Sequence, residues 1–128
     1  MLITIKSTII KGKQLGRELG FPTANLDPAE VDITDLKAGV YAGLIKIEGI
    51  EGEFKTAISI GLNSTFNQSN FTVEAYILDF DQKIYGKVVG LKLIAKIREM
   101  RKFESVDELI NQIQNDVNIV NRILSKLE

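Results

Sequence analysis

The chain has 128 residues, 45% of them apolar and 26% charged, with a formal net charge of −1. This is the make-up of one ordinary globular domain that can bury a core without staples, and it gives no overall basic field of the kind that marks many nucleic-acid binders. Neither Cys nor His occurs, which excludes disulfides, thiolate and ordinary zinc sites, Cys nucleophiles, Ser-His-Asp catalysis and histidine general bases.

No apolar run reaches the roughly 20 residues of a membrane span. The N-terminus lacks the charged start and long apolar stretch of a signal peptide. A cytoplasmic location is therefore expected, and a protein without Cys fits that compartment. An enzyme made from this chain works with Asp, Glu, Lys, Arg, Thr, backbone amides and a hard metal ion.

Residues 2–10 are β-branched and apolar and predict a first strand. Residues 12–26 follow, reading Gly-Lys-Gln-Leu-Gly-Arg-Glu-Leu-Gly-Phe-Pro-Thr-Ala-Asn-Leu. Gly12, Gly16 and Gly20 leave bare backbone that can lie close to a ligand. Lys13 and Arg17 add positive charge, and Pro22 stiffens the segment and presents Thr23 and Asn25. Open backbone, cations and hard oxygen donors together suit a phosphate with a metal ion attached. The spacing is neither a Walker A motif nor a dinucleotide fingerprint. A plain glycine-rich connection between two strands stays open beside the phosphate reading.

Residues 27–38 read as a loop, 39–48 as a strand, 49–52 as a turn and 53–60 as the returning strand of a hairpin. Residues 61–70 are polar, and Asn63, Ser64, Thr65 and Asn67 read as loop chemistry. Residues 71–80 predict a long strand with Phe71, Val73, Ala75 and Ile77 on one face. Glu74 shares the other face with Tyr76, Leu78 and Phe80. Two apolar faces leave little water for a carboxylate, a setting that raises its pKa and suits a general base. An exposed strand end or an ion pair with a lysine are the structural alternatives for Glu74.

Asp81-Gln82 predicts a tight turn into a strand from about Lys83 to Arg98. There Leu91, Leu93, Ala95 and Ile97 alternate with Lys92, Ile94, Lys96 and Arg98, giving one apolar and one mostly basic face. Arg98, Arg101 and Lys102 form a basic patch before Phe103, suited to a phosphate or to capping a solvated strand end. Val106, Leu109, Ile110, Ile113, Val117, Val120, Leu124 and Leu127 recur at helical spacing, and Ser105 with Glu108 fits a capping box. The stripe is expected to pack on the sheet, with a partner-binding coiled coil as the alternative. Several strands, short turns and one terminal helix predict a small antiparallel barrel in a single domain spanning 1–128.

In these residues the chain resembles the riboflavin kinase family. Residues 16–25 match its Gly-Arg-x-Leu-Gly-Phe-Pro-Thr-Ala-Asn pattern, and Gly39-Val-Tyr-Ala matches its next strand. Ile60-Gly61 with Thr65-Phe66, Glu74, Leu78-Asp79-Phe80 and Tyr85-Gly86 follow in the family's order, as do Phe103-x-Ser105, Leu109, Gln112-Ile113 and Asp116. The resemblance covers essentially the whole chain. It implies a mainly β fold, a six-stranded antiparallel Greek-key barrel with a C-terminal α-helix packed against it. It also implies transfer of the ATP γ-phosphate to the ribityl 5′-hydroxyl of riboflavin, giving FMN.

By position the resemblance puts Thr23 and Asn25 on Mg²⁺ and the nucleotide phosphates, with Gly12, Lys13, Gly16, Arg17 and Pro22 in the ATP-phosphate segment. It makes Glu74 the general base and sets Arg98, Phe103 and Ser105 near the flavin. Phosphoryl transfer needs mainly positioning and charge neutralisation, so a chain without His or Cys can perform it. The chain departs from the family at Ser7 and Gln14, where glycine is usual. It departs again at Asn63-Ser64, where Arg-Pro is common, and at Glu99-Met100, where Arg98 is usually followed by Pro-Glu. Riboflavin, FMN, ATP and ADP are the expected partners, with no nucleic acid, no membrane and a monomeric state. A non-catalytic flavin- or nucleotide-binding module of the same fold is the alternative. The family domain also forms the C-terminal half of bifunctional FAD synthetases, and the sequence does not decide between a stand-alone enzyme and a fragment.

Overall fold

Strand alternation sets the architecture. The computed structural model describes residues 3–11, 23–32, 36–62 and 71–126. Strand β1 (Ile3–Ile10) turns Ile5, Ser7 and Ile9 inward and its even-numbered residues outward, with Lys6 and Ile10 exposed. Strand β2 is three residues long (Ala24–Leu26) and is followed by a single 3₁₀ turn, Pro28–Glu30. Then come β3 (Gly39–Ile47), β4 (Glu53–Leu62), β5 (Phe71–Ile77), β6 (Val88–Arg98) and one helix, α1 (Val106–Ser125).

All strand pairs are antiparallel and close into a barrel in the order β1-β2-β5-β4-β3-β6. The hairpin-linked run β3-β4-β5 with β6 returning beside β3 is a Greek key, as the family resemblance implies. The interior is filled by side chains such as Ile9, Leu26, Ile45, Ile58, Ile60 and Leu91, each at 2% exposure or less.

A second apolar cluster lies outside the barrel under α1. Ala42 and Ala57 from the strands and Leu78 just past β5 meet Val120 and Leu124 from the helix. The helical stripe thus packs on the sheet. Val106, at its start, is 54% exposed and lies outside that contact, and Leu127 is outside the described residues. Ser105 is the N-cap, and its hydroxyl accepts from the Glu108 N–H at 3.1 Å. The Glu108 carboxylate binds Arg101 at 2.5 Å, so only half of the capping box forms.

The basic-and-apolar alternation expected of β6 is broken. The β3 register skips a residue of β6 between Ala42/Gly43 and again between Val40/Tyr41. These bulges re-aim Ile94 and Ile97, which both pack on the cluster beneath α1. The strand also begins later than expected, at Val88 rather than near Lys83. The chain instead reverses after Ile77, with Asp79 at φ 56, and makes a further turn closed by Lys87 N–H on the Ile84 carbonyl at 3.1 Å. Gly86, at φ 81, supplies the left-handed position of that turn.

Gly43 is required by contact rather than by φ. A β-carbon there would lie 2.2 Å from the Lys92 carbonyl oxygen and 2.7 Å from Ile58 Cδ1. Gly43→Ala is expected to cost about 1–3 kcal/mol by overpacking, read from urea unfolding. A loss below about 0.5 kcal/mol would show that β3 and β6 can separate by a methyl group without consequence.

Ser7, which stands where the family usually has glycine, is buried and donates to the Asp27 carbonyl at 3.1 Å. Beside it the Thr8 backbone N–H donates to the Glu30 carboxylate at 2.8 Å. That bond leads the causes that hold Glu30 below the ordinary glutamate range, aided by the Thr8 and Ser7 side chains. A carboxylate depressed in the folded state adds stability above its unfolded pKa and loses it as pH falls through the folded value. Glu30→Gln should therefore flatten the acid limb of a stability-against-pH curve, and an acid limb identical to that of the parent chain would refute the linkage.

Candidate functional site

The pairing of β2 with β5 gathers residues that are remote in sequence. Asn25 lies opposite Glu74, and Ala24 opposite Ala75. Thr23, just before β2, donates its hydroxyl to Glu74 Oε1 at 3.1 Å across 51 positions of chain. Alternation places Ala24 and Leu26 toward the interior, and Asn25 and Glu74 on the outer face. One hydroxyl, one amide and one carboxylate thus converge on the barrel's outside. Of the residues singled out from sequence, Thr23, Asn25 and Glu74 are brought together. Gly12, Lys13, Gly16, Arg17 and Pro22 lie outside the described residues, as do Gln14 and Asn63-Ser64.

Glu74 is less buried than its sequence setting suggests. It is half-buried, because the apolar cover of its face lies further along the chain: Tyr76 and Leu78 pack under α1, and Phe80 falls beyond the turn. Among the described residues Glu74 has no ion pair with Lys or Arg, so the structural-ion-pair alternative finds no support there. Its carboxylate keeps lone pairs beyond the one used by Thr23.

Following the ladder outward gives a single cross-strand row. Asn25 pairs with Glu74, Glu74 with Ser59, Ser59 with Val40, and Val40 with Arg98. Three interstrand steps separate Glu74 from Arg98, about 14 Å across the strands, with the buried Val40 as the last step before Arg98. The two halves of the site inferred from sequence, 24 positions apart, therefore lie on one belt around the barrel. Ser59 sits between them, half-buried and next to Glu74. It was not legible as a site residue, because register is what puts it there.

Beside Thr23 the barrel opens into a cavity of about 190 Å³. Ile9, Ala24, Ala75, Ile77, Phe80 and Ile84 give it apolar walls, and Thr23, Asp81, Gln82 and Lys83 give it polar groups. Phe80 is fixed by an edge-on contact with Phe54, ring centres 5.0 Å apart. The segment 78–87, expected to be mostly strand, thus forms one wall of this cavity.

At the other end of the row Arg98 is tightly held. Its Nε and Nη2 bond the two oxygens of Asp116 at 2.8 Å each, and its Nη1 donates to the Glu99 carbonyl at 3.1 Å. Asp116 is one of the few buried polar residues among those described and also accepts from Gln112 at 2.9 Å. Arg98 and Arg101 both lie over the Phe103 ring, at 6.0 and 5.0 Å from its centre. Arg101 reaches Glu108 and Gln112 on α1. Arg98 and Arg101 of the basic patch are therefore tied to the helix rather than left at a solvated strand end, while Lys102 is exposed. Ser105 is occupied in capping α1. Glu99 is 80% exposed and paired with Lys96.

The fold places the chain among small antiparallel Greek-key barrels closed by a C-terminal helix. Residues 2–124 match the family described as riboflavin kinase, and the chain belongs to that family. It is 40% identical over 126 residues to the bifunctional riboflavin kinase/FMN adenylyltransferase of Listeria monocytogenes, covering 98% of this chain and 39% of that protein. It is 39% identical over 118 residues to the RNA-binding riboflavin kinase of Bacillus subtilis, covering 91% of this chain and 49% of that protein. The crystal structure of riboflavin kinase from Trypanosoma brucei superposes with a TM-score of 0.69 at 29% identity, covering 98% of this chain and 81% of that one. The chain spans less than half the length of these two curated relatives.

Proposed function

We propose that this chain transfers the γ-phosphate of ATP to the ribityl 5′-hydroxyl of riboflavin, giving FMN. The observation that carries this reading is the meeting of Thr23, Asn25 and Glu74 at the β2–β5 pair, next to a cavity, in a member of the riboflavin kinase family. Glu74 accepts the proton of the attacking hydroxyl. Its partial exposure lets it reach a substrate oxygen, and the Thr23 hydroxyl fixes the direction of its carboxylate. The cavity walled by Ala24, Ala75 and Phe80 takes the nucleotide's base. Arg98 and Phe103 receive the isoalloxazine ring, so that the row through Ser59 spans the length from flavin ring to reacting hydroxyl.

The donor set fits Mg²⁺. Hydroxyl, amide and carboxylate oxygens are hard ligands, and Mg²⁺ is usually held by one or two carboxylates together with substrate phosphates. Phosphate oxygens of the nucleotide would supply the remaining ligands. When bound, Mg²⁺ supplies charge neutralisation to the transferred phosphoryl group. A second reading, a non-catalytic flavin-binding module, draws on Glu99, whose carboxylate is turned to Lys96 and solvent rather than toward Arg98.

Incubation with riboflavin, ATP and Mg²⁺ should yield FMN by chromatography. Tight FMN binding with no ATP consumption at high protein concentration would instead establish the module. Glu74→Gln is expected to lower turnover by about 10²-fold or more while ATP still binds, as removal of a positioned general base does; unchanged turnover would remove Glu74 from its role. Ala24→Leu should fill the cavity and raise the KM for ATP with riboflavin affinity unchanged. Equal weakening for both substrates would place the nucleotide elsewhere.

A further inference from the structure

Resting on the reading above, we infer that Asp116 is a positioning residue for flavin recognition, acting through Arg98. An arginine side chain is long, carries five N–H donors, and without a partner samples many rotamers. Here it cannot. Nε and Nη2 of Arg98 engage both oxygens of Asp116 side by side, the fork geometry that fixes a guanidinium plane as well as its place. The Glu99 carbonyl takes one N–H of Nη1. Asp116 is itself fixed: its side chain is 5% exposed, and Gln112, one helical turn earlier, donates to it.

Counting donors shows what is left. Three of the five N–H groups are used, so among the described residues one N–H remains on Nη1 and one on Nη2. Those two donors lie in one plane at a side chain still 18% exposed, beside the Phe103 ring. A flat ring brought beside Phe103 and carrying paired acceptors along one edge meets that description, and the pyrimidine-dione edge of riboflavin has such acceptors. Structural stability alone does not call for this arrangement, since apolar pairs of similar volume often serve as well as a buried ion pair. The pair instead ties the end of β6 to the middle of α1, so the helix sets the angle at which Arg98 is presented.

The test is a double-mutant cycle with riboflavin itself as probe, followed by the quenching of its fluorescence, with kcat, the KM for ATP and circular-dichroism melts of each variant. Asp116→Asn should weaken riboflavin binding about tenfold through misplacement of the guanidinium, with the KM for ATP within twofold of the parent. Arg98→Gln should lose at least as much. The double variant Arg98→Gln/Asp116→Asn, which removes both charges together and leaves neither unpaired, should lose no more than Arg98→Gln alone. Losses that add, a folded Asp116→Asn chain that binds riboflavin normally, or parallel losses for riboflavin and ATP would each overturn the positioning role. Absence of riboflavin binding by the parent chain would overturn the functional reading with it, which distinguishes the two failures.

Discussion

Everything distinctive about this barrel depends on the pairing of three residues, Ala24–Leu26. β2 is the shortest strand, yet it is the element between β1 and β5 that completes the ring. Leu26 is held in the core and lies opposite Ile9, while Asn25 faces Ile10 on one side and Glu74 on the other. Closing the barrel and assembling the oxygen cluster are the same event. Thr23 reaches Glu74 because β2 pairs with β5, and Asn25 shares their face because the pleat has a period of two. A slip of one residue would turn Leu26 outward and Asn25 into the core, so hydrophobic burial enforces the register that the proposed chemistry needs.

Much of the fold was legible in the sequence. The long periodic segments, β1, the β3–β4 hairpin, β5 and α1, announce themselves through alternation or helical spacing, and the Ser105 cap lies where its motif predicts. β2 itself was hidden inside a glycine-rich stretch, because three residues carry too little periodicity to separate strand from loop. The course of β6 was misjudged for a different reason. Its alternation is real in sequence, but two bulges interrupt the pairing, and only the register with β3 shows where the extra residues Ile94 and Ile97 go.

The site divides in the same way. Thr23, Asn25 and Glu74 stood out as residue types suited to the chemistry, and the structure unites them. Arg98 stood out as a positive charge, but its meaning comes from Asp116, 18 positions later on another element. Ser59 and Ile84 gave no sequence signal, and Phe80 stood out only within a motif, not as the wall of a cavity. Their residue types are common, and their placement follows from strand order and from the turn geometry after β5. The half-exposure of Glu74 shows the limit of reading burial from a strand's composition. Apolar neighbours two or four residues on can belong to a different contact, here the underside of α1.

The brevity of β2 has a consequence for the whole molecule. A closed barrel has no free strand edges, whereas an open sheet of the same strands has two, each a row of unpaired backbone donors and acceptors ready to accept a foreign strand. Detachment of Ala24–Leu26 would bare β1 along one side and β5 along the other. The segment that carries the candidate phosphate-handling residues is therefore also this chain's guard against aggregation, and a ligand that grips Thr23 and Asn25 would keep the edges shut.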